Sequence, residues 1–183
     1  MASPAPSPDA SIELRVTDSA GAAALADDVW RCYDAVFGDV TDPVVWRTDR
    51  YDRHAARDGY RLVTAHAADH AGDDLVGFAW GYVGQRGQYW SDLLVDRLPD
   101  DVADAWVGDH FELVELGVLA AWRGHGVGRR LHDAVLDGVG RRSLLLTSDD
   151  EDDPAVRLYR RSGWQPLGPL GPGTQVMGRP APR

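Results

Sequence analysis

The chain of 183 residues contains no lysine, so all 19 of its basic residues are arginine. ATPase-type phosphate loops and Schiff-base chemistry both require a lysine, and both are therefore excluded. The single cysteine, Cys32, cannot form an internal disulfide and is compatible with a reducing cytoplasm, the location we expect. Its helical setting beside Trp and Tyr favours packing over a reactive thiol. No run approaches the ~18 apolar residues of a membrane span, so we expect no membrane partner.

Basic charge is also scarce, because 29 acidic residues give a formal net charge of −10. Phosphate contacts dominate nucleic-acid affinity, and no basic stripe is visible along the chain, so nucleic acid is not an expected partner. An acidic surface suits a cationic substrate, although such surfaces also serve solubility alone.

The length predicts one domain over residues 11–183, and 44% hydrophobic content is sufficient for a core. Residues 1–10 are rich in proline, serine and alanine and lack the features of a signal peptide, which predicts a disordered leader. The periodicity and capping residues predict helices at 19–37, 44–57 (after Asp42 and Pro43), 99–106, 127–139 and 152–162. Alternating or apolar runs predict strands at 12–17, 60–65, 75–83, 111–119, 143–147, 164–167 and 174–177. Residues 66–74 are predicted to be a polar loop within a hairpin.

The most informative segment runs from an apolar strand into a glycine-rich turn and an amphipathic helix. Gly124, Gly126 and Gly128 remove side chains where the helix begins, so free N–H groups and the helix dipole can meet a phosphate. Arg123 and Arg129 add positive charge. A dinucleotide-binding loop is disfavoured, because it needs the spacing Gly-x-Gly-x-x-Gly after a first strand. The segment therefore predicts an anion cradle.

The spacing of Val118, Arg123, Gly126 and Gly128 closely resembles the acetyl-CoA motif of the GNAT N-acetyltransferase superfamily. Residues 155–164 resemble the family's second signature, Ala-x-x-Leu-Tyr-x-x-x-Gly-aromatic. The resemblance implies an α/β fold with a central, mixed, mostly antiparallel sheet, one parallel strand pair and flanking helices. It also implies acetyl-CoA as cosubstrate, without a metal. The residues it places at the coenzyme are Leu116, Gly117, Val118, Arg123, Gly124, His125, Gly126, Val127, Gly128, Arg129 and Asp152.

Acetyl transfer to an amine needs a base for the ammonium proton and stabilisation of the departing thiolate. Glu112 and Glu115 precede the cradle on one strand, and three positions apart they point to opposite faces. Glu112 resembles the strand glutamate that some family members use as the base, so we prefer it and keep Glu115 as the alternative. A structural salt bridge is an open reading for either glutamate.

Tyr159 matches the family tyrosine that donates a hydrogen bond to the coenzyme sulfur and acts as general acid. A core tyrosine is the competing interpretation. Asp152 stands where relatives often have an asparagine, and a carboxylate cannot donate to the coenzyme arm. Gly117 marks either a strand bulge that frees N–H groups for the coenzyme or a place where no side chain fits.

The acceptor site is expected among aromatic residues of the first helices and of the segment before the cradle strand. These residues either wall a pocket, where a ring can hold a cation, or pack the core. The substrate-binding candidates are Trp46, Tyr82 and Trp90. His66 and His70 are four residues apart, but they lie in a predicted loop, so we expect no metal site there.

Together these patterns predict an acetyl-CoA-dependent N-acetyltransferase. The expected acceptor is the primary amine of a small molecule, with a peptide or protein amine as a less favoured substrate. The alternative is a non-catalytic acyl-CoA-binding sensor or assembly module. The chain is expected to be a monomer or homodimer.

Overall fold

The structure is a computed structural model that describes residues 11–69 and 72–182. The predicted leader, residues 1–10, lies outside the described residues, as does His70. The strands are β1 (Ser11–Thr17), β2 (Arg61–Asp69), β3 (Gly72–Gly84), β4 (His110–Val118), β5 (Ser143–Ser148), β6 (Gln165–Gly171) and β7 (Thr174–Arg179). The α-helices are α1 (Ser19–Val36), α2 (Pro43–Trp46), α3 (Asp52–Ala55), α4 (Tyr89–Arg97), α5 (Asp100–Trp106), α6 (Val127–Leu136) and α7 (Pro154–Arg161).

The strands form one seven-stranded sheet in the order β1-β2-β3-β4-β5-β7-β6. β4 and β5 are parallel, with Phe111 opposite Ser143 and Glu112 opposite Leu144. The pairs β1–β2, β2–β3, β5–β7 and β6–β7 are antiparallel. This is the predicted mixed α/β architecture with a parallel pair, and the fold class is confirmed.

Local signals positioned several helix ends correctly. The Asp18 carboxylate accepts from the Ala20 and Gly21 N–H groups at the start of α1, and Asp42 caps α2 in the same way before Pro43. Gly163 follows α7 with φ +85°, as expected for a C-terminal glycine. These caps satisfy backbone groups that would otherwise lack partners where a helix begins or ends.

Two expectations about secondary structure differ from the structure, and one helix was not predicted. Residues 66–69 and 72–74 belong to β2 and β3 and not to a loop, because cross-strand pairing satisfies their backbone. The predicted helix 44–57 contains a π-helical segment, Arg47–Tyr51, between α2 and α3. Helix α4 was not predicted, since its start has no side-chain cap to announce it.

The contacts divide the chain into two compact units, residues 1–82 with 115–137 and residues 83–114 with 138–183. The core of the first unit is an aromatic cluster in which Trp46 stacks on Tyr51 with ring centroids 4.9 Å apart. Phe78 stacks on Trp80 at 5.3 Å in the same cluster. Cys32 is buried in this unit, which fits the expected packing role, and burial raises the pKa of its thiol to about 12.

The core of the second unit is aliphatic. Its fully or almost fully buried members are Leu94, Leu98, Ala103, Val107, Leu144 and Val176. Trp90 and Trp106 pack against this cluster. The cluster packs α4 and α5 against β5 and β7, and so holds α5, the helix that precedes β4, in place.

Within residues 11–69 and 72–182, no helix has the length and apolar character needed to cross a membrane. The same residues contain no cluster of three His, Cys, Asp or Glu side chains with metal-binding geometry. His66 lies buried in β2, where its Nε2 is 2.9 Å from the Thr64 hydroxyl.

Candidate active site

The turn after β4 presents bare backbone at the start of α6. Gly124 and Gly126 adopt φ +81° and +78°, values that favour glycine. A Cβ built on either residue would meet no atom within 4 Å. Gly126 is the N-cap of α6, and no side chain caps that helix end. The start of α6 therefore has no capping side chain and no bulk at Gly124 and Gly126, which is an arrangement suited to an anion.

One arginine side chain and one backbone hydrogen bond hold this turn in place. Arg123 Nε donates to the Val118 carbonyl at 3.1 Å, which ties the turn to the end of β4. Arg129 Nε donates to Asp133 Oδ2 at 2.7 Å within α6. The Leu119 N–H donates to the Val76 carbonyl at 2.9 Å. The Arg123 side chain and the Leu119 N–H thus brace the predicted cradle, and the coenzyme-binding role of its residues stays a prediction.

Gly117 lies where β4 passes the aromatic cluster. A Cβ on Gly117 would be 2.8 Å from Phe78 Cζ and 3.3 Å from Val36 Cγ1. A Cβ on Gly77 would in turn be 2.9 Å from the Gly117 carbonyl oxygen. Of the two readings of Gly117, the contacts support close packing, which brings Phe78 against the strand that leads to the cradle.

Glu115, two residues before Gly117, lies in a charged cluster with Arg50 and Asp39. Arg50 Nη1 is 3.5 Å from Glu115 Oε1 and 3.4 Å from Asp39 Oδ2. The Glu115 side chain is only 19% exposed. Burial raises the pKa of its carboxyl from 4.5 to about 7, while Arg50 opposes the rise and Asp39 adds to it. The carboxyl therefore changes protonation near neutral pH.

Tyr33 forms one wall of this cluster. Its hydroxyl donates to Asp39 Oδ1 at 2.9 Å, and the Arg50 guanidinium carbon lies 5.3 Å from its ring centroid. Phe37 packs against Tyr33 at 4.9 Å and remains 44% exposed. The cluster is thus a carboxylate pair with an aromatic face and an exposed apolar edge. No motif in the sequence marks Arg50, Asp39 or Tyr33, so none of the three was predicted to belong to the site.

The predicted substrate-binding aromatics lie in different surroundings. Trp46 is buried in the aromatic cluster, 5.4 Å from Tyr33 between ring centroids. Tyr82 contacts the His54 ring at 5.4 Å. Trp90 contacts His110 at 6.2 Å and packs against the aliphatic core of the second unit. Trp46 contacts Tyr33 directly, whereas Tyr82 is connected to Tyr33 through the rings of His54 and Trp80. The substrate role of all three predicted residues stays a prediction.

The other proposed catalytic residues belong to the second unit. Glu112 is buried in β4 where that strand pairs with β5. Tyr159 is buried in α7 and packs against Trp164 at 5.8 Å. Asp152 is exposed before α7 and pairs with Arg157 at 3.4 Å. The roles expected for these residues stay predictions.

His110 is a buried titratable group at the start of β4. The Gly108 N–H donates to its Nδ1 at 3.1 Å, which assigns the proton to Nε2. Burial lowers the pKa of the ring to about 4, and Arg142 adds to the effect. A Cβ on Gly84 would collide with this ring, so Gly84 makes room for it.

A curated relative and two solved structures are similar to this chain. The GCN5-like protein acetyltransferase Rv2170 of Mycobacterium tuberculosis is 34% identical over 106 residues, covering 54% of this chain and 52% of the relative. The NatC complex bound to Gag peptide and CoA has a TM-score of 0.61 at 14% identity, covering 93% of this chain and 99% of that one. The PaiA N-acetyltransferase of Thermoplasma acidophilum in complex with coenzyme A has a TM-score of 0.57 at 12% identity, with coverages of 93% and 99%.

The two structures are too distant in sequence to show more than a shared fold. The chain spans about half the length of the Mycobacterium tuberculosis relative. A profile of the acetyltransferase (GNAT) family matches residues 22–164, which is most of the sequence and includes both predicted motifs. The chain therefore belongs to the GNAT acetyltransferase family.

Proposed function

We propose that the chain is an acetyl-CoA-dependent N-acetyltransferase that acetylates the primary amine of a small molecule. One observation carries the proposal: β4 holds a carboxyl with a pKa of about 7 at Glu115 and leads, through the short 3-10 helix Ala120–Trp122, to the open glycine turn. A base and a diphosphate cradle on one stretch of chain are two of the components that the reaction needs.

The donor is held by the backbone more than by side chains. The N–H groups at the start of α6, beside Gly124 and Gly126, would bind the coenzyme diphosphate, with Arg123 and Arg129 adding positive charge. The backbone at the end of β4 would hold the pantetheine arm, as the family resemblance implies. When bound, acetyl-CoA supplies the activated thioester.

Glu115 is the base that we favour. An aliphatic ammonium has a pKa near 10, so a base must remove its proton before the amine can attack. Glu115 is poised near neutral pH and is approached by a cationic group, the Arg50 guanidinium, in the structure itself. The preference from the sequence was Glu112, whose buried carboxylate remains the alternative base.

Tyr159 is proposed to donate its phenolic proton to the departing thiolate, as the family resemblance implies. The α7 helix fixes its backbone, since Asp153 caps the helix start and the Trp164 N–H donates to the Tyr159 carbonyl at 3.1 Å. Replacing Tyr159 with phenylalanine removes only the hydroxyl. We expect turnover to fall by at least tenfold with unchanged coenzyme affinity, and undiminished turnover would remove Tyr159 from the mechanism.

A protein amine is the second candidate acceptor. The relative from Mycobacterium tuberculosis is named a protein acetyltransferase, and the NatC structure contains a peptide. A panel of diamines, amino sugars, amino acids and lysine-containing peptides separates the two classes. Selective turnover of the peptides would replace the small-molecule proposal.

The experiment that tests the proposal measures thiol release from acetyl-CoA across this panel, together with calorimetric binding of coenzyme A. Gly126→Leu fills the cradle, and Gly138→Leu is the matched control. Gly138 also has a positive φ, +70°, and open space around a built Cβ. Both variants pay a similar backbone cost of about 1–2 kcal/mol, but only Gly126→Leu should lose coenzyme binding. Intact binding in Gly126→Leu would overturn the cradle, and binding without turnover on any amine would support a non-catalytic module.

A further inference from the structure

The Arg50 side chain is placed as a bound cationic ligand would be. A single nitrogen, Nη1, approaches both the Asp39 and the Glu115 carboxylates, and the guanidinium lies over the Tyr33 ring. Paired carboxylates and an aromatic face are the groups that bind ammonium ions in proteins. The pairing also joins distant parts of the sequence, since 65 residues separate Arg50 from Glu115.

We propose that the Arg50 guanidinium fills the subsite for the acceptor's ammonium group and must move out before the acceptor binds. The inference rests on the proposed function and adds three residues to it. Asp39 and Tyr33 would bind the acceptor cation, Glu115 would receive its proton, and Arg50 would act as an internal competitor. The acceptor class is then an aliphatic amine that carries a positive charge at neutral pH, and neutral arylamines are excluded.

The contacts of Arg50 are weak enough to be exchanged. Its two ion-pair distances, 3.4 and 3.5 Å, are longer than the roughly 2.8 Å of a strong charge-assisted hydrogen bond. Its side chain is 33% exposed, so water can solvate the guanidinium as it leaves. It also extends from the π-helical segment Arg47–Tyr51, a backbone feature frequent at functional sites.

The local charge favours a cation after Arg50 departs. The carboxylates of Asp39 and Glu115 both pair with the single guanidinium of Arg50, and Asp39 also accepts from the neutral Tyr33 hydroxyl. Among the contacts described for these two carboxylates, Arg50 is the positively charged group. An incoming ammonium restores the balance that the departing Arg50 disturbs. An acceptor recognised through a carboxylate would instead need Arg50 to stay, so the two modes make opposite predictions for Arg50 variants.

The test compares Arg50→Met with Arg47→Met. Methionine keeps an apolar stem against Tyr33 while removing the charge. Arg47 belongs to the same π-helical segment and pairs with Asp27 and Asp52, outside the cluster. At pH 8.5, where Glu115 is ionised, Arg50→Met should lower KM for a cationic amine by about fivefold, because the internal competitor is gone. Arg47→Met should leave KM unchanged, and a raised KM in Arg50→Met would overturn the proposal.

A binding experiment tests the subsite without turnover. Methylguanidine copies the head of Arg50 and should bind Arg50→Met measurably by calorimetry, but bind the parent chain and Arg47→Met at least fivefold more weakly. The added change Asp39→Asn should weaken this binding by removing one carboxylate. If Arg50→Met fails to fold, Arg50→Gln gives the same comparison. Equal binding of methylguanidine to the parent chain and to Arg50→Met would overturn the inference, even if acetyl transfer is confirmed. Tighter binding of methylguanidine to Arg50→Met, without acetyl transfer to any amine, would support the subsite but reject the proposed function.

Discussion

The pH dependence of Glu115 offers the sharpest test of the proposed base. A carboxyl with a pKa of about 7 is about one-tenth ionised at pH 6 and about nine-tenths ionised at pH 8. If the ionised form takes the proton in the transition state, kcat should rise about tenfold over this range and then level off. Glu115→Gln should lower kcat by about 10²–10⁴-fold, and its residual rate should show no plateau above pH 7.

The same group should also affect stability. Its folded pKa is raised above 4.5, so the native state holds the proton more tightly than the unfolded chain and loses that advantage as pH rises from about 4.5 to 7. The shift corresponds to about 2–3 kcal/mol of unfolding free energy lost between pH 5 and pH 8. Because Gln does not titrate, Glu115→Gln should escape this loss and be more stable than the parent chain at pH 8.

The two assays are stopped-flow thiol release for kcat and urea unfolding at pH 5 and pH 8, with Glu112→Gln measured in parallel. If Glu115 is the base, kcat of Glu112→Gln should still rise with pH around pH 7, as it does in the parent chain. If instead the rise of kcat with pH is lost in Glu112→Gln and kept in Glu115→Gln, the assignment of Glu115 is refuted and Glu112 is the base. A loss of activity in Glu115→Gln that is accompanied by destabilisation at pH 8 would show that the residue is structural.

Two further predictions concern packing and acid stability. Gly117→Ala should lower the unfolding free energy by about 1–3 kcal/mol, because the new Cβ would lie 2.8 Å from buried Phe78. In a double-mutant cycle measured by urea unfolding, adding Phe78→Leu should recover part of this loss. Strictly additive effects of the two substitutions would contradict the contact. His110→Asn keeps an acceptor for the Gly108 N–H but cannot titrate. Because the pKa of His110 is lowered in the folded state, the protein loses stability as pH falls from 6.5 to about 4. Between pH 6.5 and 4.5 the unfolding free energy of the parent chain should therefore fall by about 2 kcal/mol more than that of His110→Asn. Equal losses would show that the ring is not buried in its neutral form.

The cradle could be predicted from sequence because it depends on local backbone conformation. Gly124 and Gly126 need positive φ, and glycine in a fixed spacing before an amphipathic helix indicates that requirement directly. The caps at Asp18 and Asp42 are local in the same sense. The glycine turn and the helix caps each depend on a few consecutive residues, and their predicted positions therefore agree with the structure.

Strand length was less predictable, because it depends on partners that the local sequence does not reveal. β6 extends to Gly171 despite two prolines, whereas the sequence indicated an end at Leu167. The strand order places β6 at the sheet edge, where proline is tolerated, and its pairing with β7 shifts register near both prolines. The polar residues of the β2–β3 hairpin were misread as a loop for a similar reason, since pairing outweighed composition.

The charged cluster was not predictable at all from local pattern. Alternation along β4 puts Glu112 and Glu115 on opposite faces but says nothing about what each face meets. The neighbours that raise or lower the pKa of Glu115 come from the loop after α1 and from the π-helical segment. Only the tertiary structure shows the burial and the charged neighbours that set the pKa of Glu115, on which its proposed role as the base rests.

The position of Arg50 links the stability of the site to its proposed use. A buried carboxyl with a raised pKa costs stability once it ionises, and Arg50 offsets part of that cost, because its charge lowers the pKa that burial has raised. An acceptor ammonium that replaces Arg50 would supply the same compensation, so the exchange leaves the charge of the cluster unchanged. Binding free energy would then come from the remainder of the acceptor, against exposed apolar side chains such as Phe37. Transfer of the ammonium proton to Glu115 would remove both charges together, which favours the neutral amine required for attack.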